Sequence, residues 1–161
     1  MFDDVVICEP VRTPVGRFGG QFRDLQAHEL GRRVIEGLLE RTGLPGERVD
    51  EVIFAQCYPS MDAPALGRVV GLDAGLPTSI GGYQLDRRCG SGLQAVLNAV
   101  MQVATQGASL IIAGGAESMS NAPFYSTGGR WGIKGSSMVF DDALAKGRVT
   151  AGGVNFPVPG G

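Results

Sequence analysis

Apolar residues along this chain follow two alternating periods. Residues 5–11, VVICEPV, form a β-branched run closed by Pro10, and the run predicts a buried strand. From Gln26 to Thr42, Leu30, Val34, Leu38 and Leu39 repeat at helical spacing, and Gly43 is placed to cap the C-terminus. EVIFAQC at 51–57 predicts a second strand, and residues 65–74 predict a short helix with Pro64 at its start. Residues 80–88 give a weaker strand. A helix over 91–106 follows, carrying Leu93, Val96, Leu97, Val100 and Val103 and stopped by Gly107, and SLIIAGG at 109–115 is a fourth strand. Alternation of strand and helix predicts an α/β fold with a mainly parallel sheet.

One stretch departs from ordinary amphipathic patterning. No residue from Cys89 to Ala116 carries a charge. A helix without a charged face is expected to be buried on all sides, between layers, so a second sheet is expected against it. After Ala116 the periodicity fades. Residues 117–161 hold nine glycines and predict only a short helix at 141–146 before the chain runs into PVPGG, a pattern expected of a segment that packs against further protein.

Composition narrows the class. The length of 161 residues is that of one domain-sized core, and 43% hydrophobic with 19% charged residues is the balance of a soluble globule. A net charge of −2 provides no basic field, which argues against nucleic acid and against an anionic membrane as partner. Cys8, Cys57 and Cys89 are an odd number without C-x-x-C spacing, which argues against both a disulfide framework and a zinc site. No basic leader and no transmembrane-length apolar run are visible, so the expected location is the reducing cytoplasm.

The chemistry concentrates in QLDRRCGSGLQAV, residues 84–96. Gly90-Ser91-Gly92-Leu93-Gln94-Ala95 satisfies G-x-G-x-x-A between a strand and a helix, and Glu117 lies near where a ribose-binding acid would fall, so a dinucleotide site is one reading. The motif follows the third strand rather than the first, however, and Arg-Arg-Cys precedes it. The second reading makes Cys89 a nucleophile. Unpaired N–H groups and the positive dipole end at a helix N-terminus favour a thiolate, Gly90 and Gly92 leave room for a substrate carbonyl, and the Cys89 N–H is a candidate oxyanion donor. A third reading makes Cys89 a small buried hydrophobe.

RCGSGLQAV at 88–96 resembles the active-site segment of the thiolases, which form and cleave 3-oxoacyl-CoA thioesters. RTPVGRFGG at 12–20 is similar to that family's RTP-x-G loop, AHELG at 27–31 to its first helix, AGGAESMSNAP at 113–123 to its second strong signature, and DDALAKGRVT at 141–150 to part of its inserted loop domain. The resemblance implies a layered thiolase-like fold whose N-terminal lobe spans 1–118, with the start of the loop domain at 119–161, incomplete without a C-terminal lobe. It also implies a reversible Claisen condensation through an acyl-enzyme on Cys89, with Gly90, Ser91 and Gly92 in support. Acetyl-CoA and other acyl-CoA thioesters are then substrates, no further cofactor or metal is needed, and the protein is a homodimer or homotetramer.

The resemblance is partial. The family's catalytic histidine, in a Gly-His-Pro segment, and its second cysteine have no counterpart here. His28, the sole histidine, sits at a solvated-looking helix start and reads as structural. The 161 residues by themselves are therefore expected to be inactive, and a non-catalytic thiolase-like subunit or scaffold stands as the alternative. Thiolases usually carry Asn, Ser or Thr where this chain has Asp86, and a neutral residue where it has Arg88. A carboxylate at 86 would work against the positive potential of the helix start. Cys8 and Cys57 read as core, Glu117 and Ser118 as partners of backbone groups, and Met119 and Met138 as core or interface.

Overall fold

The computed structural model describes residues 4–152, with side chains described through Arg148. These residues belong to two compact units, one through Asn121 and one from Ala122 onward.

The first unit is a three-stranded parallel sheet with helices on both faces. Its elements are α1 (Ala27–Thr42), β1 (Glu51–Ala55), α2 (Leu66–Asp73), β2 (Gly81–Leu85), α3 (Ser91–Ala104) and β3 (Ile111–Gly115), and the strand order is β2-β1-β3. Val52 is in register with Gly82 on one side and Ile112 on the other. As the central strand, β1 is buried on both faces, which is why its sequence is a continuous apolar run. Alternation along it separates two cores. Val52 and Phe54 pack with Ile35 of α1, Leu66 and Val70 of α2, and Ile112. Ile53 and Ala55 pack with Ala95 and Ala99 of α3.

Helix α1 runs where its spacing predicts. Glu29 accepts the Gln26 N–H at 2.7 Å at the N-terminus, and Gly43, at φ 64°, donates to the Leu39 carbonyl at the other end. Helix α2 lies directly on the sheet because Gly67 has no side chain: a Cβ there would stand 2.3 Å from the Val52 carbonyl oxygen and 2.5 Å from that of Tyr83. Helix α3 closes two residues earlier than its pattern predicts. Gln106, not Gly107, takes the left-handed position (φ 62°), and the Gly107 N–H returns to the Gln102 carbonyl at 2.8 Å.

Three expectations are corrected. Residues 5–11 form no strand: Val6 and Ile7 are 81% and 74% exposed, Cys8 is exposed, and Glu9 has a positive φ and pairs with Arg41 at 2.9 Å. A β-branched run becomes a strand only against a sheet edge, and this one has no ladder partner among the described residues. Helix α3 is not buried on all sides. Ala95 and Ala99 face the sheet, whereas Leu93, Leu97 and Met101, one turn apart in succession, are exposed. No layer covers that second face among the described residues. Finally, residues beyond 121 are less structureless than their pattern suggests. The second unit pairs β4 (Phe124–Tyr125) antiparallel with β5 (Asp141–Asp142), followed directly by α4 (Ala143–Gly152), which starts inside the expected 141–146 helix and outlasts it. PVPGG lies outside the described residues.

Candidate active site

The chain leaves the carboxyl end of β2 at Leu85 and reaches α3 through a single corner. Arg87 is extended in φ (−134°), Arg88 is left-handed at φ 51°, and residues 88–90 make one 3₁₀ turn before α3 starts at Ser91. A left-handed arginine is unfavourable unless its surroundings hold it. Here the Arg88 N–H donates to Asp86 Oδ1 at 2.7 Å. The Arg88 carbonyl accepts the Ser91 N–H, the Ser91 hydroxyl at 2.6 Å and the Cys57 thiol at 3.2 Å. Ser91, only 3% exposed, also accepts the Arg87 N–H on its Oγ at 2.7 Å.

The corner is tied to the ends of the other strands. The Arg88 guanidinium donates to the Cys57 carbonyl at 2.9 Å, pairs with Asp86 at 3.4 Å and lies 5.9 Å from the centre of the Tyr58 ring. Beyond β3, the Glu117 carboxylate accepts the Cys57 N–H at 2.7 Å and the Tyr58 N–H at 3.3 Å. Burial pushes the Glu117 carboxyl above the usual glutamate range, against the lowering effect of those two N–H donors. Burial likewise pushes the Cys57 thiol up, partly offset by Ser91, while the negative charges of Glu117 and Asp86 raise it further. Cys57 is thus a protonated structural thiol that donates to a carbonyl.

Cys89 is different. It is exposed, and among the described residues its sulfur has no hydrogen-bond partner. A Cβ on Gly92 would meet nothing within 4 Å, and one on Gly90 would meet only the Arg87 side chain at 3.9 Å. Neither glycine has a positive φ, so neither is required by the backbone.

The same geometry argues against a phosphate cradle. The N–H groups of Arg87, Arg88, Gly90 and Ser91 are taken up by Ser91 Oγ, Asp86 Oδ1, the Arg87 carbonyl and the Arg88 carbonyl respectively. Glu117, the would-be ribose ligand, is committed to the chain after β1. Ala95, the last motif position, is fully buried against β1.

Other expectations sort as follows. Glu117 does bind backbone, and Ser118 donates to the Leu25 carbonyl at 2.8 Å while accepting from Asn121 at 2.9 Å. Cys57, expected in the core, instead lies half-buried beneath the Cys89 corner, and Cys8 is exposed. Met119 and Met138 are each 45% exposed, so neither is core, and Met138 lines an open groove of about 690 Å³ in the second unit with Phe124, Tyr125, Arg130 and Phe140. His28 is half-buried at the start of α1 beside a small cavity that Gln56, Tyr58 and Ser118 also line. The described residues contain no cluster of metal-ligating side chains. Sequence reading missed the roles of Cys57 and Tyr58 in the corner. Position would have found them: Cys57, Asp86 and Glu117 follow the carboxyl ends of β1, β2 and β3, where open α/β sheets place their sites.

A family model described as thiolase, N-terminal domain, matches residues 5–154. The chain belongs to the thiolase family. The acetyl-CoA acetyltransferase of Rhizobium meliloti is 40% identical over 146 residues, 91% of this chain and 37% of that protein. The protein of the same name from Schizosaccharomyces pombe is 38% identical over 143 residues, 89% of this chain and 36% of that one. The crystal structure of the Bacillus anthracis acetyl-CoA acetyltransferase matches with a TM-score of 0.80 at 34% identity, over 85% of this chain and 35% of the other. This thiolase-family chain therefore spans a little over a third of the length of these relatives, and it shares the fold of the Bacillus anthracis structure over the matched part.

Proposed function

We propose that Cys89 is the acyl acceptor of an acyl-CoA C-acyltransferase. Its thiolate attacks the carbonyl carbon of an acyl-CoA, such as acetyl-CoA, the carbon–sulfur bond to coenzyme A breaks, and coenzyme A leaves with the electron pair. In the condensation direction, the deprotonated α carbon of a second acetyl-CoA attacks the acyl-Cys89 thioester. A 3-oxoacyl-CoA forms and the Cys89 sulfur is released. Coenzyme A thioesters are substrates throughout, and the sequence of bond changes needs no other cofactor.

The observation that carries this reading is an exposed, unpartnered thiol at the start of α3, in a chain whose relatives are named acetyl-CoA acetyltransferases. The Cys89 N–H is the proposed donor to the oxyanion. The α-proton must go to a base, and no histidine stands at Cys89. His28 lies instead at the start of α1. The base is therefore assigned to residues beyond these 161, and a homodimer or homotetramer in a reducing cytoplasm remains the proposed state. The exposed Leu93, Leu97 and Met101 of α3 support packing of that face against further protein.

Incubation of the full-length protein with acetyl-CoA should add the mass of one acetyl group, and C89S should remove the gain. An unchanged mass, or a gain that persists in C89S, overturns the reading. Acetylation without condensation would favour a non-catalytic or partner-dependent subunit, for which the missing base is the specific observation.

A further inference from the structure

The corner that presents Cys89 depends on one residue in a backbone conformation that its side chain disfavours. Arg88, at φ 51°, directly precedes Cys89. Residues other than glycine enter this region only when local bonds offset the crowding of Cβ. The bond that acts on the Arg88 backbone from upstream is the one from its N–H to Asp86 Oδ1, 2.7 Å long and reaching two residues along the chain, a side-chain mimic of a turn. The second Asp86 oxygen faces the Arg88 guanidinium at 3.4 Å, and that guanidinium is anchored on the Cys57 carbonyl.

We propose that Asp86 is a positioning residue for Cys89 that acts through Arg88: its carboxylate holds the left-handed residue that turns the chain from β2 into the Cys89 corner. The proposal rests on the reading of Cys89 as the acyl acceptor, and it assigns Asp86 a geometric task rather than an electrostatic one. Two features separate the tasks. The Asp86–Arg88 pair is open to solvent, with side chains 39% and 47% exposed, so its Coulomb energy is heavily screened. The N–H acceptor role, by contrast, needs only an oxygen at Oδ1, which an amide supplies equally well. The other contacts of the corner do not replace it. Ser91 serves the Arg87 N–H and the Arg88 carbonyl, and Cys57 serves that same carbonyl, so none of them holds the Arg88 N–H.

The test uses the full-length protein and four variants: D86N, D86A, R88G and the double variant D86A/R88G. Two rates are read, acetylation of Cys89 by acetyl-CoA and alkylation of Cys89 by iodoacetamide, both by mass. D86N should stay within about threefold of the parent in both, and D86A should acetylate roughly tenfold more slowly and shift its alkylation rate at least threefold. Glycine takes a left-handed φ without help. Within the R88G background, the Asp86→Ala change should therefore alter either rate by less than about twofold. A merely structural contribution to the fold would be additive and would survive that background.

The proposal is overturned if D86N falls as far as D86A, which would make the charge decisive. It is equally overturned if D86A costs as much in the R88G background as in the parent. Should D86A fail to fold, the comparison of R88G with the double variant decides alone, since the strain is absent from both. If the parent takes no acetyl group, the acyl-acceptor reading fails, while the alkylation pattern still decides the role of Asp86.

Discussion

Asp50 and Glu117 do the same work at opposite ends of the sheet, and their environments drive their ionisation in opposite directions. Asp50, just before β1, accepts the Ser109 and Leu110 N–H groups at 2.6 and 3.0 Å, joining the entry of β3 to that of β1. Glu117, just after β3, accepts the N–H groups leaving β1. Asp50 is exposed, so its two backbone donors win over burial and, with Arg48, hold its carboxyl below the ordinary aspartate range. Glu117 is more enclosed, and burial wins. A folded pKa below the unfolded one means the unfolded chain takes the proton first as pH falls. The Asp50 contribution is therefore complete above about pH 4, the unfolded aspartate value, and is lost as pH drops through the lowered folded value. D50A should cost about 1 kcal/mol or less at pH 7, given the exposure, and flatten the acid limb of stability. Urea unfolding at pH 7 and at about pH 3 reads both effects. At this scale the sequence was legible for Glu117 as a backbone partner. Cys57 was not legible, because an apolar strand end reads the same whether the next thiol enters the core or bends beneath a neighbouring corner.

Periodicity delivered the elements of the α/β core to within a few residues, because helix and strand there are each enforced by burial of one face on β1 and its neighbours. It failed at residues 5–11, where β-branched composition is necessary for a strand but an available edge is also required. Glycines divide along the same line. Gly67 is fixed by packing, since any side chain would strike the carbonyls of Val52 and Tyr83, and backbone atoms of a central sheet cannot step aside. Gly37, exposed within α1, meets nothing within 4 Å and is conformationally ordinary. Gly37→Ala should therefore raise stability by about 0.5–1 kcal/mol by removing helix-opposing backbone entropy. Gly67→Ala should lower it by about 3 kcal/mol or prevent folding, as expected of overpacking against backbone. Thermal melts of the two variants give opposite signs if α2 rests on the sheet as described. A Gly67→Ala variant as stable as the parent would mean that α2 can lift away.

For the molecule as a whole, the charge-free stretch from Cys89 to Ala116 carries information that the first unit alone does not use. Its expected burial on all sides is met on the face that carries Ala95 and Ala99 and unmet on the face that carries Leu93, Leu97 and Met101. An apolar stripe at successive helical turns, with no charge flanking it, is the pattern of a buried helix. The chain also covers only about a third of the length of its relatives. These observations give opposite forecasts for Leu97→Asp. With Leu97 43% exposed, as in the first unit alone, the substitution falls among surface changes worth within about 0.5 kcal/mol. In a full-length protein whose further residues or second subunit cover α3, the same substitution buries an unpaired carboxylate. It should then cost about 3 kcal/mol or more and displace the start of α3 and the turn before it that carries Cys89. We expect the larger loss in the full-length protein, read as a lowered unfolding midpoint together with a slower acetylation of Cys89. A near-neutral Leu97→Asp there would mean that the second face of α3 meets water, and the layered arrangement proposed for the enzyme would fall with it.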